Sequence, residues 1–262
     1  MTVQEAVRGS GIDAREARLL LAEATGFSQS SVLAFQEKVL EEEAQKRFSE
    51  FLVRRKSGEP VAYIVGHKEF YGLDLAVNPA VLIPRPETEL LVDLALQKSF
   101  RSALDLGTGS GAVALALKKH CPNARVVGVE ASAAALVVAQ RNATRLDLQV
   151  DFRHGRWFDP LAGERFDLIV GNPPYVAEGD PHLPDLRFEP QSALVSGPDG
   201  LDAIREIVRG ARAHLEPGGR LLLEHGIGQD GAVRVLLEAA GLEEVATWPD
   251  LAGIPRVTGG KG

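Results

Sequence analysis

Ala103-Leu104-Asp105-Leu106-Gly107-Thr108-Gly109-Ser110-Gly111 is the stretch whose reading decides the fold. It reads as a short buried strand that breaks into a glycine turn and then opens a helix over 112–120. Three alternate glycines carry a cumulative entropic cost, which a plain strand-to-helix turn does not require. They permit a tight turn and let a ligand approach the backbone closely. Further strands are predicted at 125–130, 148–152, 166–170, 220–224 and 243–247, with helices over 133–145, 201–215 and 231–240. Repeated βα units make this an α/β chain with a parallel sheet covered by helices on both faces. Ligands on such sheets bind beyond the carboxyl ends of the strands, where the winding reverses.

Upstream the pattern is different. Residues 1–58 read as a helical domain. Asp13 caps a helix through Leu21, with Ala17, Leu20, Leu21 and Ala24 at helical spacing. A shorter helix is predicted over 28–35. A third, over 39–56, aligns Leu40, Ala44, Phe48, Phe51 and Leu52 on one stripe and carries Glu41, Glu42 and Glu43 in its first turns. Gly58-Glu59-Pro60 ends it, and residues 61–77 alternate like a hairpin turning at Tyr71-Gly72-Leu73-Asp74. Pro79 and Pro84-Arg85-Pro86 mark a linker, after which residues 87–97 start a helix. The expected organisation is a recognition domain over 1–58, a hairpin and linker over 59–86, and the sheet-bearing domain over 87–262.

Composition narrows the function classes. The net charge is −7, with 45% hydrophobic and 25% charged residues, as in an ordinary globular protein. Dividing the chain near residue 75 leaves 10 basic against 12 acidic residues before it and 19 against 24 after it, so neither part has the excess that non-specific phosphate binding favours. Cys121 is the only cysteine, so no intrachain disulfide forms, which fits a reducing compartment. Residues 1–20 lack a signal-peptide pattern and no apolar run approaches a membrane span. The expectation is a cytoplasmic protein without membrane or stable nucleic-acid partners. Six histidines are scattered without metal-ligand spacing, so neither a metal nor a catalytic histidine is predicted, and His225 reads as structural.

Two constellations carry chemistry. The glycine loop alone would also suit a nicotinamide dinucleotide, but two carboxylates favour S-adenosylmethionine. Asp105 precedes the first glycine, where it suits a cationic amino group rather than a pyrophosphate. Glu130 ends the next strand, where it either accepts from two ribose hydroxyls or is simply a solvated strand end. Trp157 follows the third strand as an adenine platform or as plain core. The second constellation, Asn172-Pro173-Pro174-Tyr175, follows the run 166–170. Two prolines stiffen the turn before any ligand arrives. Asn172 offers a side-chain carbonyl and Pro173 a backbone carbonyl, which together can hold both hydrogens of a planar NH2 group, with Tyr175 as an aromatic wall. As a bland turn, Asn-Pro-Pro would merely terminate a strand.

Together these strings resemble the bacterial release-factor glutamine methyltransferases (the HemK/PrmC family). The likeness extends over essentially the whole chain. It is carried by Leu82-Ile83-Pro84-Arg85-Pro86-Glu87-Thr88-Glu89, the loop from Asp105 to Gly111, Asn172-Pro173-Pro174-Tyr175, Phe188-Glu189-Pro190, Gly200-Leu201, Asp250-Leu251-Ala252-Gly253 and Arg256-Val257. The resemblance implies a small helical N-terminal domain joined by a β-hairpin to a seven-stranded, mostly parallel, Rossmann-like methyltransferase sheet. It implies methyl transfer from S-adenosyl-L-methionine, leaving S-adenosyl-L-homocysteine, to the glutamine amide of the Gly-Gly-Gln motif in class-1 peptide-chain release factors; a monomer is expected. Cofactor contacts would fall on Asp105, Leu106, Gly107, Thr108, Gly109, Glu130, Trp157 and Asn172. Substrate contacts would fall on Asn172, Pro173, Pro174 and Tyr175, with Asn172, Pro173 and Tyr175 catalytic. Two positions depart from the family pattern. Glu130 replaces a common aspartate, and Arg156 stands where an acidic residue commonly bonds the adenine amine, for which a guanidinium has no acceptor.

In this reading Asn172 and the Pro173 carbonyl hold an amide nitrogen in line with the methyl donor and stabilise the positive charge that develops on it, so no separate base is needed. Rival readings are a glutamine methyltransferase acting on a ribosomal protein, an adenine amino-group methyltransferase, and a non-catalytic translation-factor adaptor. Arg85 and Glu87 either brace the two domains, border the cofactor mouth or sit in a solvated linker.

Overall fold

The computed structural model describes all residues from Met1 to Gly262. The chain forms two compact units, Met1–His67 and Lys68–Gly262.

The first unit is helical: α1 (Val3–Arg8), α2 (Ala14–Thr25), α3 (Gln29–Ala34), α4 (Glu42–Lys56) and α5 (Val61–Val65). Asp13 caps α2 as the sequence suggests, and α1 adds a cap of its own. Thr2 and Glu5 form a reciprocal capping box, and Asp13 Oδ1 accepts from the Arg15 and Glu16 amides at 2.8 and 3.2 Å. Leu20, Leu21, Phe48 and Phe51 meet in one buried cluster with Ile64. Two expectations change here. Helix α2 runs past Leu21 to Thr25, stopping where Gly26 takes a φ of 71°. Residues 61–65 are helical rather than strand. Arg54 donates to the Tyr63 and Ile64 carbonyls at 3.2 and 3.3 Å, satisfying the end of that short helix, and Gly66 closes it.

The second unit opens with a two-stranded hairpin of β1 (His67–Phe70, its first residue at the unit boundary) and β2 (Leu73–Ala76). Helix α6 (Glu89–Leu96) follows, preceded by a 3-10 turn at Pro86–Thr88. The sheet then builds through β3 (Ser102–Leu106), α7 (Ala112–His120), β4 (Arg125–Glu130), α8 (Ala133–Leu146), β5 (Asp151–His154) and β6 (Phe166–Gly171). It closes with α9 (Asp202–His214), β7 (Leu215–Glu224), α10 (Asp230–Ala239), β8 (Glu243–Pro249) and β9 (Pro255–Lys261). The seven strands lie in the order β5-β4-β3-β6-β7-β9-β8; the first five are parallel, and β9 runs antiparallel to both β7 and β8. One face is covered by α6 and α7 through Leu91, Val92, Leu115 and Leu117, the other by α9 and α10 through Ile204, Ile207, Val233 and Leu237.

Strand β9 is the element that residue patterns do not announce, because it begins with proline and contains Gly259-Gly260. Those glycines are needed for packing: a Cβ on Gly259 would come within 2.5 Å of the Leu221 carbonyl and a Leu222 methyl. Strand β5 lies later than the expected 148–152, and β7 starts at Leu215 rather than 220. No helix is long and apolar enough to cross a membrane.

Candidate active site

Topology sets the site before any side chain does. β3 has β4 and β5 on one side and β6 on the other, so the winding reverses between β3 and β6. Leu106 pairs with Gly171 in register, and the next residues, Gly107 and Asn172, leave the sheet side by side at its carboxyl end. The glycine loop and the Asn-Pro-Pro-Tyr loop are therefore neighbours by construction.

The glycine loop is pinned from both flanks. The Gly107 and Thr108 amides donate to the Val129 carbonyl at 2.9 and 3.0 Å, and the Gly109 amide donates to Glu130 Oε2 at 2.8 Å. Gly107 has a φ of 72°, and a Cβ there would lie 3.4 Å from the Trp157 ring, so the position needs glycine for both conformation and space. Behind the loop Asn142 is fully buried. It accepts from the Ala76 amide and donates to the Ala76 and Ser110 carbonyls, tying the hairpin to the glycine turn.

A cavity of about 500 Å³ opens at this end of the sheet, in the size range of small-molecule sites. Of the predicted cofactor set, Asp105, Gly107, Thr108, Gly109, Glu130, Trp157 and Asn172 line it. Leu106 does not: its side chain is completely buried among Ile204, Ile207 and Leu223, because alternate β3 residues face opposite sides of the sheet. Asp105 is buried beneath the loop, where its Oδ2 accepts from the Thr108 hydroxyl at 2.6 Å and the Ala114 amide at 3.2 Å. Burial pushes its carboxyl up to about 6, despite those bonds, with Glu130 adding to the rise. Both Glu130 oxygens already accept backbone amides, from Gly109 and Ser132 at 2.8 Å each, and each keeps a second lone pair. Trp157 packs against the core as well as the cavity, and its buried Nε1 has no hydrogen-bond partner.

The two guanidiniums at the cavity wall are already committed. Arg156 makes a fork to Glu206, with Nε–Oε1 at 3.0 Å and Nη2–Oε2 at 2.5 Å, and stacks over Trp157. Arg85 pairs with Glu189, whose Oε2 also accepts from the Ile83 amide at 3.0 Å. Arg85 thus borders the cavity and joins Phe188-Glu189-Pro190 to Ile83-Pro84-Arg85. With these cations neutralised locally, Asp105 and Glu130 leave the cavity suited to a ligand that carries positive charge.

Pro173 and Tyr175 do not line that cavity. They line a second one, of about 330 Å³, together with Leu82, Arg85, Leu186 and Glu189. Pro174 faces the larger cavity, and Asn172 lines both. Asn172 Nδ2 donates to Thr88 Oγ1 at 3.1 Å, which leaves its carbonyl oxygen uncommitted. The Pro173 carbonyl accepts no hydrogen bond from the protein. Tyr175 departs from the role of a simple wall. Its hydroxyl donates to Glu224 Oε1 at 3.4 Å, and burial beside that carboxylate keeps the phenol protonated. His225 is buried between Thr258 and the Gly226 carbonyl, a structural placement, and burial lowers its pKa.

Sequence reasoning missed Thr88, Glu189 and Glu224. Thr88 and Glu189 lay inside the strings that carried the family likeness, whereas Glu224 stood at the end of an apolar run, where an acidic residue reads as a solvated strand end.

Comparison with known proteins agrees with this geometry. A model of the methyltransferase small domain matches residues 86–184, and one of the PrmC N-terminal domain matches residues 5–66. A methyltransferase from Pyrococcus furiosus superposes with a TM-score of 0.58 at 20% identity, over 81% of this chain and 98% of that one. A Thermus thermophilus 16S rRNA N2 G1207 methyltransferase, solved with S-adenosylmethionine and guanosine, superposes with a TM-score of 0.56 at 26% identity, over 74% of this chain and 49% of that one. Fold and site thus define an S-adenosylmethionine-dependent methyltransferase. Release factor glutamine methyltransferases from Burkholderia pseudomallei and Pseudomonas aeruginosa are 47% and 50% identical to the chain, covering 99% and 94% of it and 96% and 91% of their own lengths. One from Xylella fastidiosa is 55% identical over 83% of this chain and 82% of its own. The chain belongs to the release factor glutamine methyltransferase family.

Proposed function

We propose that the enzyme methylates the side-chain amide nitrogen of the glutamine in the Gly-Gly-Gln motif of class-1 peptide-chain release factors, releasing S-adenosyl-L-homocysteine. The observation that carries this reading is Asn172 standing between two cavities, its amide nitrogen tied to Thr88 and its oxygen left for an acceptor. The names of the relatives supply the acceptor class, and the acidic net charge disfavours a nucleic-acid acceptor.

The larger cavity fits S-adenosylmethionine in its donor set: Asp105 for the ammonium group, Glu130 for the ribose hydroxyls, the backbone at Gly107 for close approach, and Trp157 for the adenine. Bound there, the cofactor supplies an electrophilic methyl group on a sulfonium. The protein's own part is to hold the acceptor. Asn172 Oδ1 and the Pro173 carbonyl each take one N–H of the glutamine amide, and the proline pair keeps them in place without cost at the moment of reaction. Their negative dipoles favour the charge that builds on the nitrogen, and fixed orientation supplies up to about 7–11 kcal/mol in favourable systems. The methylated nitrogen, once cationic, is strongly acidic and sheds its proton without a dedicated base. Residues 1–67 serve in this reading as the recognition unit.

The test is incubation with labelled S-adenosylmethionine, a purified release factor, a ribosomal protein extract and DNA, followed by mass spectrometry of the labelled product. Label on the Gly-Gly-Gln glutamine is the expected result. Label confined to a ribosomal protein or to adenine overturns the assignment.

A further inference from the structure

Beneath the Asn172 loop lies a buried group for which the reaction as described has no use. Glu224 ends β7 and is 1% exposed. Its Oε1 receives one long hydrogen bond from Tyr175, and its buried Oε2 has no hydrogen-bond partner. The Thr88 hydroxyl faces the same carboxylate and, with Arg256 and Tyr175, favours its ionised form, while burial and Glu87 oppose it. Thr88 also receives the Asn172 amide at 3.1 Å. Glu224, Thr88 and Asn172 thus lie in series, and the Thr88 hydroxyl turned toward the unpartnered Oε2 completes a relay from the sheet to the acceptor site.

The relay has two consistent proton arrangements. A threonine hydroxyl has one hydrogen to give and lone pairs to receive. With Glu224 ionised, Thr88 donates to the carboxylate and accepts from Asn172 Nδ2, so the Asn172 oxygen faces the acceptor. With Glu224 protonated on the unpartnered Oε2, the carboxylic acid becomes a donor toward Thr88, whose hydrogen then turns to Asn172. The amide must present its oxygen to Thr88 and its NH2 to the acceptor, where it opposes another NH2 group.

We infer that Glu224 is a positioning residue which, through Thr88, selects the end of the Asn172 side chain that meets the acceptor amide. The inference deepens the proposed function and rests on Asn172 being the acceptor clamp. Its consequence is a neutral-pH dependence, since Glu224 is pushed up to about 7 by burial. Neighbouring groups do not compete for this role. Arg256 is paired with Asp250 at 3.1 Å, Arg85 with Glu189, and Tyr175 stays protonated. His225 turns to Thr258 and is held below its ordinary value, and Glu87 is exposed. Asp105 titrates lower, at about 6, and belongs to the cofactor cavity, so turnover is measured at saturating S-adenosylmethionine.

The experiment compares wild type, Glu224→Gln, Thr88→Val and Thr88→Ser between pH 5.5 and 8.5. In wild type, kcat should rise at least tenfold through a midpoint near 7, and Glu224→Gln should flatten that rise whatever its absolute rate. Thr88→Val should lose at least tenfold in kcat with unchanged cofactor affinity, and Thr88→Ser should restore it. A second readout is independent of the acceptor: with asparagine-selective 15N labelling the chain shows only four side-chain amides. The Asn172 pair should shift with the same midpoint in wild type and remain fixed in Glu224→Gln. A pH step retained in Glu224→Gln, or an Asn172 signal indifferent to pH in wild type, overturns the inference. Titration of that signal without methylation of a release factor would instead overturn the acceptor assignment alone.

Discussion

Replacing Asp105 by asparagine should make the ligand-free protein more stable at alkaline pH while destroying its response to S-adenosylmethionine. Asparagine is nearly isosteric, and its carbonyl can still receive the Thr108 hydroxyl and Ala114 amide that now converge on Oδ2. What it removes is a negative charge buried under the glycine loop. Burial raises the Asp105 pKa from 3.8 to about 6. At about 1.4 kcal/mol per unit, that is about 3 kcal/mol between the protonated and ionised forms. Because the folded-state value is raised, the associated stability is present in full below the unfolded pKa near 4 and is lost as pH rises through about 6. Asparagine has no such loss. The two proteins should therefore match near pH 4 and diverge by about 3 kcal/mol at pH 8, the variant being the more stable.

Thermal unfolding of the ligand-free proteins across that range reads this directly, since each kcal/mol moves the midpoint by about 2–4 °C in a domain of 150–250 residues. Adding S-adenosylmethionine should bring the two proteins nearly level. Its cationic amine would favour ionised Asp105, and ligand at a hundredfold its Kd stabilises by about 2.7 kcal/mol, a gain the variant should lack. Parallel stability curves for the two proteins, or equal stabilisation of both by the cofactor, would refute the role given to this carboxylate.

Other perturbations probe separate parts of the site. Asn172→Ala should abolish methyl transfer while calorimetry finds cofactor affinity largely intact; wild-type turnover would remove Asn172 from the mechanism. Arg85→Ala should destabilise the sheet-bearing unit by about 3 kcal/mol, because it strands the buried Glu189 carboxylate, and denaturant unfolding measures the loss. Asn142→Leu should cost about 2–3 kcal/mol by leaving the Ala76 and Ser110 backbone groups unpaired. It should also weaken cofactor binding by loosening the turn that Ser110 belongs to.

The legible part of this fold was the part written in local pattern. Strands β3 and β6 were readable because short apolar runs end in glycine or asparagine, β4 because its apolar run closes on Glu130, and the helices between them keep one apolar face. Strand β9 was unreadable from its own residues, since Pro255 and Gly259-Gly260 argue locally against a strand and only the packing of Leu221 and Leu222 demands them. Residues 61–65 misled for the opposite reason. Five consecutive apolar residues fit a strand as well as one helical turn, and the deciding contact comes from Arg54 on the preceding helix.

The same division runs through the site and shows why its supporting residues were the harder ones to find. Asp105, Gly107 and Asn172 are conspicuous because each sits immediately at the end of a strand, where the parallel sheet must deliver its ligands. Thr88, Glu189 and Glu224 act only through partners distant in the chain: 84 residues separate Thr88 from Asn172, 104 separate Arg85 from Glu189, and 49 separate Tyr175 from Glu224. No periodicity encodes such pairings. A buried glutamate and a solvated one look identical in sequence, and burial is what gives Glu189 its need for Arg85 and Glu224 its titration near neutrality. The place of the site is thus set by sheet topology, while the Asn172 amide at its edge is held by Thr88, a polar group that the topology buries beside it.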